Sequence, residues 1–277
     1  MEDINTYENN SLILVDSHIH INNCYDLKYF FDSAFNNFSH FNDQLTKSKK
    51  FTGVLFLTEA GDYNFFKKFY DNSKTFSTKL NYKLKQTSED NSLIISNGEN
   101  NIVLVAGQQI VTAENIEVLA LGTINRFKYG NSISDTIDQI NKTGAISVVP
   151  WGVGKWIGRR ENVVKQLISS RSDFFLGDNG NRPAFWGLPS LFKIAESKGI
   201  YNLPGSDPLS FETEMTKPGS FGFFFKERID LNYPVNYLKK KILSADKQFD
   251  SYGRLENPVK FFRNQINIQI NKKLRKL

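Results

Sequence analysis

Short, nearly uninterrupted runs of Val, Ile, Leu and Phe recur along the chain between stretches of helical length. The runs at 11–17 (SLILVDS), 52–59, 101–107, 116–122, 145–150, 173–178 and 200–207 carry little polar alternation. They therefore predict strands covered on both faces, as parallel strands are. The intervening segments 26–47, 61–72, 132–143, 159–170, 188–198, 233–244 and 258–275 read as helices. This alternation predicts βα units around a largely parallel sheet, and seven such strands predict one βα barrel, TIM-like but distorted. Two segments break the rhythm. The stretch 75–98, with KLNYKLKQTS followed by SLIISNG, reads as a hairpin, and 208–225 (PLSFETEMTKPGSFGFFF) reads as a long loop over the C-terminal face. With no internal repeat, low-complexity linker or Pro/Gly-rich boundary, residues 1–277 read as one domain, its last helix (about 258–277) packed on the barrel or extending from it.

Composition narrows the class. Hydrophobic residues at 40% and charged residues at 23% are ordinary for a globular chain. No apolar run approaches the roughly 18 residues that span a bilayer, and the opening MEDINTYENN is acidic and polar where a secretory leader is basic and then apolar. A cytoplasmic protein is expected, without membrane insertion. The single cysteine, Cys24, excludes an internal disulfide and a cysteine-cluster zinc site, and reads as a small, partly buried side chain. The net charge of +6 permits an anionic small molecule or nucleic acid as partner and demands neither. Much of the excess lies at Lys260, Arg263, Lys272, Lys273, Arg275 and Lys276, a solvated basic helix end that suits the helix dipole.

The strongest chemical signal is VDSHIHI at 15–21, which holds two of the three histidines. With a strand period of two, Asp16, His18 and His20 point to one side, and imidazoles this close can share a metal. His40, in NFSHFND, has no such context and reads as structural or exposed. Other apolar runs also finish in polar residues: Thr58 and Glu59, Gln108 and Gln109, Asp178 and Asn179, Ser206 and Asp207. In a parallel barrel those ends converge on one mouth. A further signal is WGVGKWIGRR at 151–160, where glycines allow close approach and Lys155, Arg159 and Arg160 can hold a phosphate or carboxylate. It lacks the Gly-Lys-Ser/Thr ending of a Walker loop, and a tight βα turn with two aromatic anchors explains it equally well. The segment GDNGNRP at 177–183 adds Asp178, Asn179 and Arg182 beside the same mouth.

The order DSHIH, LTEA, GQQI, IEVLALG, VVPW and GSDPL resembles the strand-end motifs of the polymerase and histidinol phosphatase (PHP) family over about residues 12–209. That family consists of distorted βα barrels with multinuclear metal sites that mostly hydrolyse phosphoesters; the first and last motifs are also similar to the wider amidohydrolase-like barrels. The resemblance implies that His18 and His20 are the first metal pair, that Asp207 is the aspartate of the closing motif, and that Glu59 replaces a ligating aspartate. Elsewhere Ala60, Gln109, Glu117, Pro150 and Leu209 stand at or beside positions where the family carries ligands. A three-metal site is thereby lost, and what remains is one divalent ion (Zn, Mn or Fe) held by His18, His20, Asp207 and Glu59. Asp207 and Glu59 would double as catalytic carboxylates, while Lys155, Arg159, Arg182, Asp178 and Asn179 would bind an anionic substrate. Two other functions compete. One is a barrel that has lost catalysis and binds a sugar or glycan-related ligand, with Trp151, Trp156 and Trp186 as its platform. The other is nucleic-acid processing, which would show steep salt dependence.

Overall fold

The apolar runs become strands largely where expected, but they assemble differently. The structure is a computed structural model that describes residues 11–274. In chain order its elements are β1 (Leu12–Ile19), α1 (Leu27–Leu45), β2 (Phe51–Leu57), α2 (Phe65–Asp71), α3 (Ser73–Leu80), β3 (Lys83–Gln86), β4 (Ser92–Ser96), β5 (Asn101–Val105), β6 (Gly107–Val111), β7 (Glu117–Leu121) and α4 (Ile133–Lys142). There follow β8 (Ile146–Pro150), α5 (Arg159–Ser170), β9 (Phe175–Gly177), α6 (Ser190–Glu196), a 3-10 turn (Glu212–Thr216), β10 (Phe221–Phe225), α7 (Pro234–Leu243), β11 (Ser251–Gly253) and α8 (Pro258–Leu274). Arg275 and Lys276 of the basic tail lie outside the described residues. No helix among the described residues is long and apolar enough to cross a membrane.

The expected closed barrel is not formed. The strands make a seven-stranded mixed sheet, ordered β11-β10-β1-β2-β5-β4-β3, and a four-stranded sheet, β6-β7-β8-β9. Only β1–β2, β2–β5 and β8–β9 are parallel pairs; the other pairings between named strands are antiparallel. The physical reason lies at the strand edges. Phe221–Phe225, expected to lie in a loop, pairs antiparallel with Ile13–Val15 and occupies the edge of β1 that barrel closure would need. The hairpin β3–β4, which the sequence suggested, occupies the free edge of β5. The chain then leaves the large sheet at Ala106 and starts β6 at Gly107, where an added Cβ would lie 2.4 Å from the Leu57 carbonyl oxygen and 2.5 Å from that of Ala120. Only glycine permits that crossing.

Alternation along the strands sorts the core into layers. Leu12 and Leu14 of β1, Leu55 and Leu57 of β2 and Ile102 and Leu104 of β5 pack against Phe30, Phe31, Phe35 and Phe38 of α1 and against α2. Asp26 caps α1 by accepting the Tyr29 amide at 2.8 Å, and the apolar positions recur at helical spacing behind it. The opposite faces, carrying Ile13, Val15, Val54, Phe56, Val103 and Val105, meet Leu119, Leu121, Ile146 and Val148 of the second sheet. The second sheet's outer face packs on α4, α5 and α6. The order across the molecule is thus helices, sheet, sheet, helices, which explains why the strands read as apolar on both faces.

The expected seventh strand, 200–207, is extended without forming a ladder of its own. Its residues thread between β9 and the end of β1. Leu203 N–H donates to Leu176 O at 2.8 Å and Gly205 N–H to Asp178 O at 2.9 Å on one side. On the other, the Ser17 hydroxyl reaches Leu203 O at 3.0 Å and Pro204 O at 2.8 Å, and Asp207 N–H donates to His18 O at 2.8 Å. Asp16 completes the clamp. Fully buried, it accepts the amides of Ser206 at 2.8 Å, Gly219 at 2.9 Å and His18 at 3.3 Å. Burial pushes its carboxyl up to about 7, against these hydrogen bonds.

Two substitutions test this clamp. A Cβ at Gly205 would sit 2.4 Å from the His18 backbone nitrogen, so Gly205→Ala should lower unfolding stability by about 1–3 kcal/mol. Asp16→Ala strands buried amides and should cost about 3 kcal/mol. Urea denaturation of each variant reads these values; a loss under about 0.5 kcal/mol for either, the range of an ordinary surface change, contradicts the assignment.

Candidate metal centre

Asp16, His18 and His20 do not share one side, because β1 slips phase. The register with β2 runs evenly from Leu12 to Asp16 and shifts before Ile19, which marks a bulge at Ser17 and His18. Leu12, Leu14, Ile19 and Ile21 accordingly share one cluster, although their numbers change from even to odd across the slip. Asp16 therefore turns to the clamp, whereas His18 and His20 turn together towards Asp207. Gly205 is what lets the 203–207 segment lie against His18 closely enough for Asp207 to meet them. Asp207 has φ 44°, a left-handed value uncommon for any residue but glycine or asparagine, and its own N–H anchors to His18 O.

Among the described residues, His18, His20 and Asp207 are the group whose donor atoms could hold a metal ion. The two Nε2 atoms lie 3.0 Å apart, and Asp207 Oδ1 is 3.5 Å from that of His18 and 3.4 Å from that of His20. Donor atoms at tetrahedral corners about 2.0–2.1 Å from one ion are separated by about 3.3–3.4 Å, so these three fit a common divalent centre. Their chemistry fits too. Burial holds the His18 imidazole down to about 4, despite the nearby Asp207 charge, so the ring is neutral with a lone pair to give. Burial works against ionisation of Asp207, but the His18 and His20 rings, whose charge acts only when they are protonated, the His20 hydrogen bond and the Lys155 charge hold its carboxyl well below the usual range.

The surroundings fix the carboxylate. Asn179 Nδ2 donates to Asp207 Oδ2 at 3.0 Å, and Asn181 Nδ2 donates to the same oxygen at 3.2 Å and to Asp207 O at 2.8 Å. Both amides hold Oδ2 and leave Oδ1 facing the imidazoles, the arrangement that orients a ligating group. Gln109 Oε1 lies 3.3 Å from His18 Nε2 and sets a neutral amide beside the imidazole. Lys155, ion-paired with Glu117, is close enough for its charge to act on both His18 and Asp207.

Several expected site residues do other work. Glu59 is buried outside the metal group: its Oε1 accepts the Phe66 amide at 3.0 Å at the start of α2, and its Oε2 pairs with Arg126. Arg182 is consumed by Asp178, with Nη2 to Oδ2 at 2.8 Å, and by the Trp186 carbonyl at 2.8 Å. That buried pair removes both Arg182 and Asp178 as free substrate groups. Arg159 is exposed at the first position of α5. Asn179 grips Asp207 instead of facing a substrate. Trp151 and Trp156 are buried in the core of the second sheet, which dismantles the proposed sugar platform, while Trp186 is 40% exposed. Cys24 is exposed, not partly buried, and His40 bonds Gln44 on the surface of α1. Sequence reasoning passed over Asn181 and Arg126. The Asn-Gly-Asn run carried a usable signal for the first, but nothing local marks Arg126 as the partner of Glu59.

Solved structures that resemble this chain include the following two. PsfC from Pseudomonas syringae PB-5123 matches with a TM-score of 0.54 and 13% identity, over 94% of this chain and 98% of that one. The lesion-specific endonuclease PfuEndoQ from Pyrococcus furiosus matches more weakly, with a TM-score of 0.46 and 11% identity over 86% of this chain and 57% of that one. No family model matches the chain, and no curated protein does. At 13% identity, the likeness to PsfC over nearly the full length of both chains is a likeness of fold.

Proposed function

We propose that this chain is a hydrolase that uses one divalent metal ion, held by His18, His20 and Asp207, and acts on a phosphoester or another small anionic substrate. The observation that carries the reading is the convergence of two imidazole nitrogens and one carboxylate oxygen within 3.5 Å of one another. A divalent ion held by His18, His20 and Asp207 would supply Lewis acidity and would make water a better nucleophile near neutral pH. The chain's own residues supply the rest. Burial keeps His18 neutral, Asn179 and Asn181 aim Asp207, and Lys155 is the cation placed to meet a negatively charged substrate group. If such a group draws Lys155 away, Glu117 is released beside the imidazole pair and can take a proton from the attacking water.

A second reading, a protein that binds a ligand without turning it over, draws support from Gln109, Glu117, Pro150 and Leu209 standing at or beside the ligand positions of the family that the sequence resembles. Metal analysis separates the two. The purified chain should hold about one equivalent of zinc, manganese or iron, as a three-ligand catalytic site does, and His18→Ala with His20→Ala should hold none. Hydrolysis of a phosphoester panel should follow metal loading, and Lys155→Ala should raise KM more than it lowers kcat. If no stoichiometric metal is taken up from any of the three ions, the hydrolase reading fails in favour of the binding one.

A further inference from the structure

Behind Asp207 lies a buried cluster of charges that the proposed chemistry does not use. Glu214 of the 3-10 turn is fully buried, and Glu256, just before α8, is 8% exposed. Two lysines neutralise them: Lys217 Nζ lies 3.2 Å from Glu214 Oε2 and 2.8 Å from Glu256 Oε2, and Lys260 Nζ of α8 lies 3.1 Å from Glu214 Oε1. Asn264, also on α8, donates to Glu214 Oε1 at 3.2 Å. Lys217 makes one more contact, donating to Asn181 Oδ1. The same Asn181 side chain presents its Nδ2 to Asp207.

Direction matters in that chain of contacts. An asparagine amide has an acceptor on one side and a donor on the other, and rotation by half a turn exchanges them. An ammonium on Oδ1 anchors the amide with Nδ2 towards Asp207; without it the Oδ1 end loses its partner and the side chain is free to swing away from the carboxylate. Buried ion pairs are a poor way to gain stability, since desolvation consumes most of the Coulombic gain. A cluster that ends on the amide holding a metal-ligating carboxylate has a use beyond stability.

We propose that Lys217 is a positioning residue, and that the C-terminal helix α8, through Lys260, Asn264 and the Glu214–Glu256 pair, holds Lys217 on Asn181 and so fixes the Asp207 carboxylate towards His18 and His20. The inference rests on the metal reading only for its consequence, metal affinity, and not for the orientation itself. Two backbone ties carry the same helix to the loop that bears Asn181. Glu256 N–H donates to Arg182 O at 3.1 Å, and Ala184 N–H donates to Glu256 O at 3.0 Å. The ring of Phe261 on α8 packs 5.5 Å from that of Trp186. Helix α8 thereby reaches the site through four polar steps, Lys260 to Glu214, Lys217, Asn181 and Asp207, with the two backbone ties and one apolar contact alongside.

The test reads the imidazoles directly. The chain has three histidines, and His40, which bonds Gln44 on α1, serves as an internal reference. Lys217→Met is combined with Glu214→Gln so that no unpaired charge is buried; Asn181→Ala breaks the last link with the ion cluster intact; Lys217→Arg is the conservative control. In metal-free protein, imidazole NMR resonances of His18 and His20 should move in the first two variants while His40 stays in place, and Lys217→Arg should resemble the wild type. Zinc affinity, measured by chelator competition, should fall at least about tenfold in the same two variants, as for loss of a ligand-orienting contact. Unmoved His18 and His20 resonances in both variants overturn the proposal. A wild type that fails to bind zinc overturns the metal reading instead, and the metal-free spectra still decide the orientation.

Discussion

A carboxylate sealed from solvent inside a strand must find donors, and those that Asp16 finds in the backbone belong to His18, Ser206 and Gly219. These contacts draw two distant segments onto β1, one carrying Asp207 and the other leading into β10. The bulge that follows Asp16 reverses the phase of the strand, so His18 and His20 turn away from Asp16 and towards the segment it has captured. The candidate centre thus depends on an aspartate that belongs to none of its ligands. Close packing enforces the same arrangement, since nothing larger than glycine fits at position 205 against the His18 backbone.

The electrostatics follow from burial. His18 is neutral because its surroundings cannot solvate an imidazolium, and Asp207 keeps its charge through directed donors. With two imidazoles and one carboxylate as ligands, a divalent ion would leave the centre with a net positive charge, to which Lys155 would add only when drawn away from Glu117. That charge is why the proposed substrate is anionic. Arg182 contributes nothing to it, because Asp178 neutralises it inside the protein.

Much of this was legible in the sequence, and the failures have physical causes. Apolar runs located β1, β2, β5, β7, β8 and β9, because a strand buried between helices and a second sheet must be apolar on both faces. They could not reveal sheet order, which antiparallel β10 decides by occupying the edge of β1. The His18, His20 and Asp207 set was readable from motif order, since strand ends and the loop beside them share one end of the sheet. Asp16 was misplaced because strict alternation cannot foresee a bulge. Glu59 was grouped with the metal ligands because nothing local marks its distant partner Arg126; Arg182 was read as facing the mouth, but it turns inward to Asp178 and the Trp186 carbonyl, each four residues away. Trp151 and Trp156, read as a ligand platform from their place near expected loops, fill core instead.

The central claim, that these three residues are one metal centre, is tested most directly by crystals grown with zinc or manganese and measured at the absorption edge of the metal. The account predicts one anomalous difference peak at about 2.0–2.2 Å from His18 Nε2, His20 Nε2 and Asp207 Oδ1. No peak between those atoms, or a peak held by other side chains with the imidazole pair bare, would contradict it.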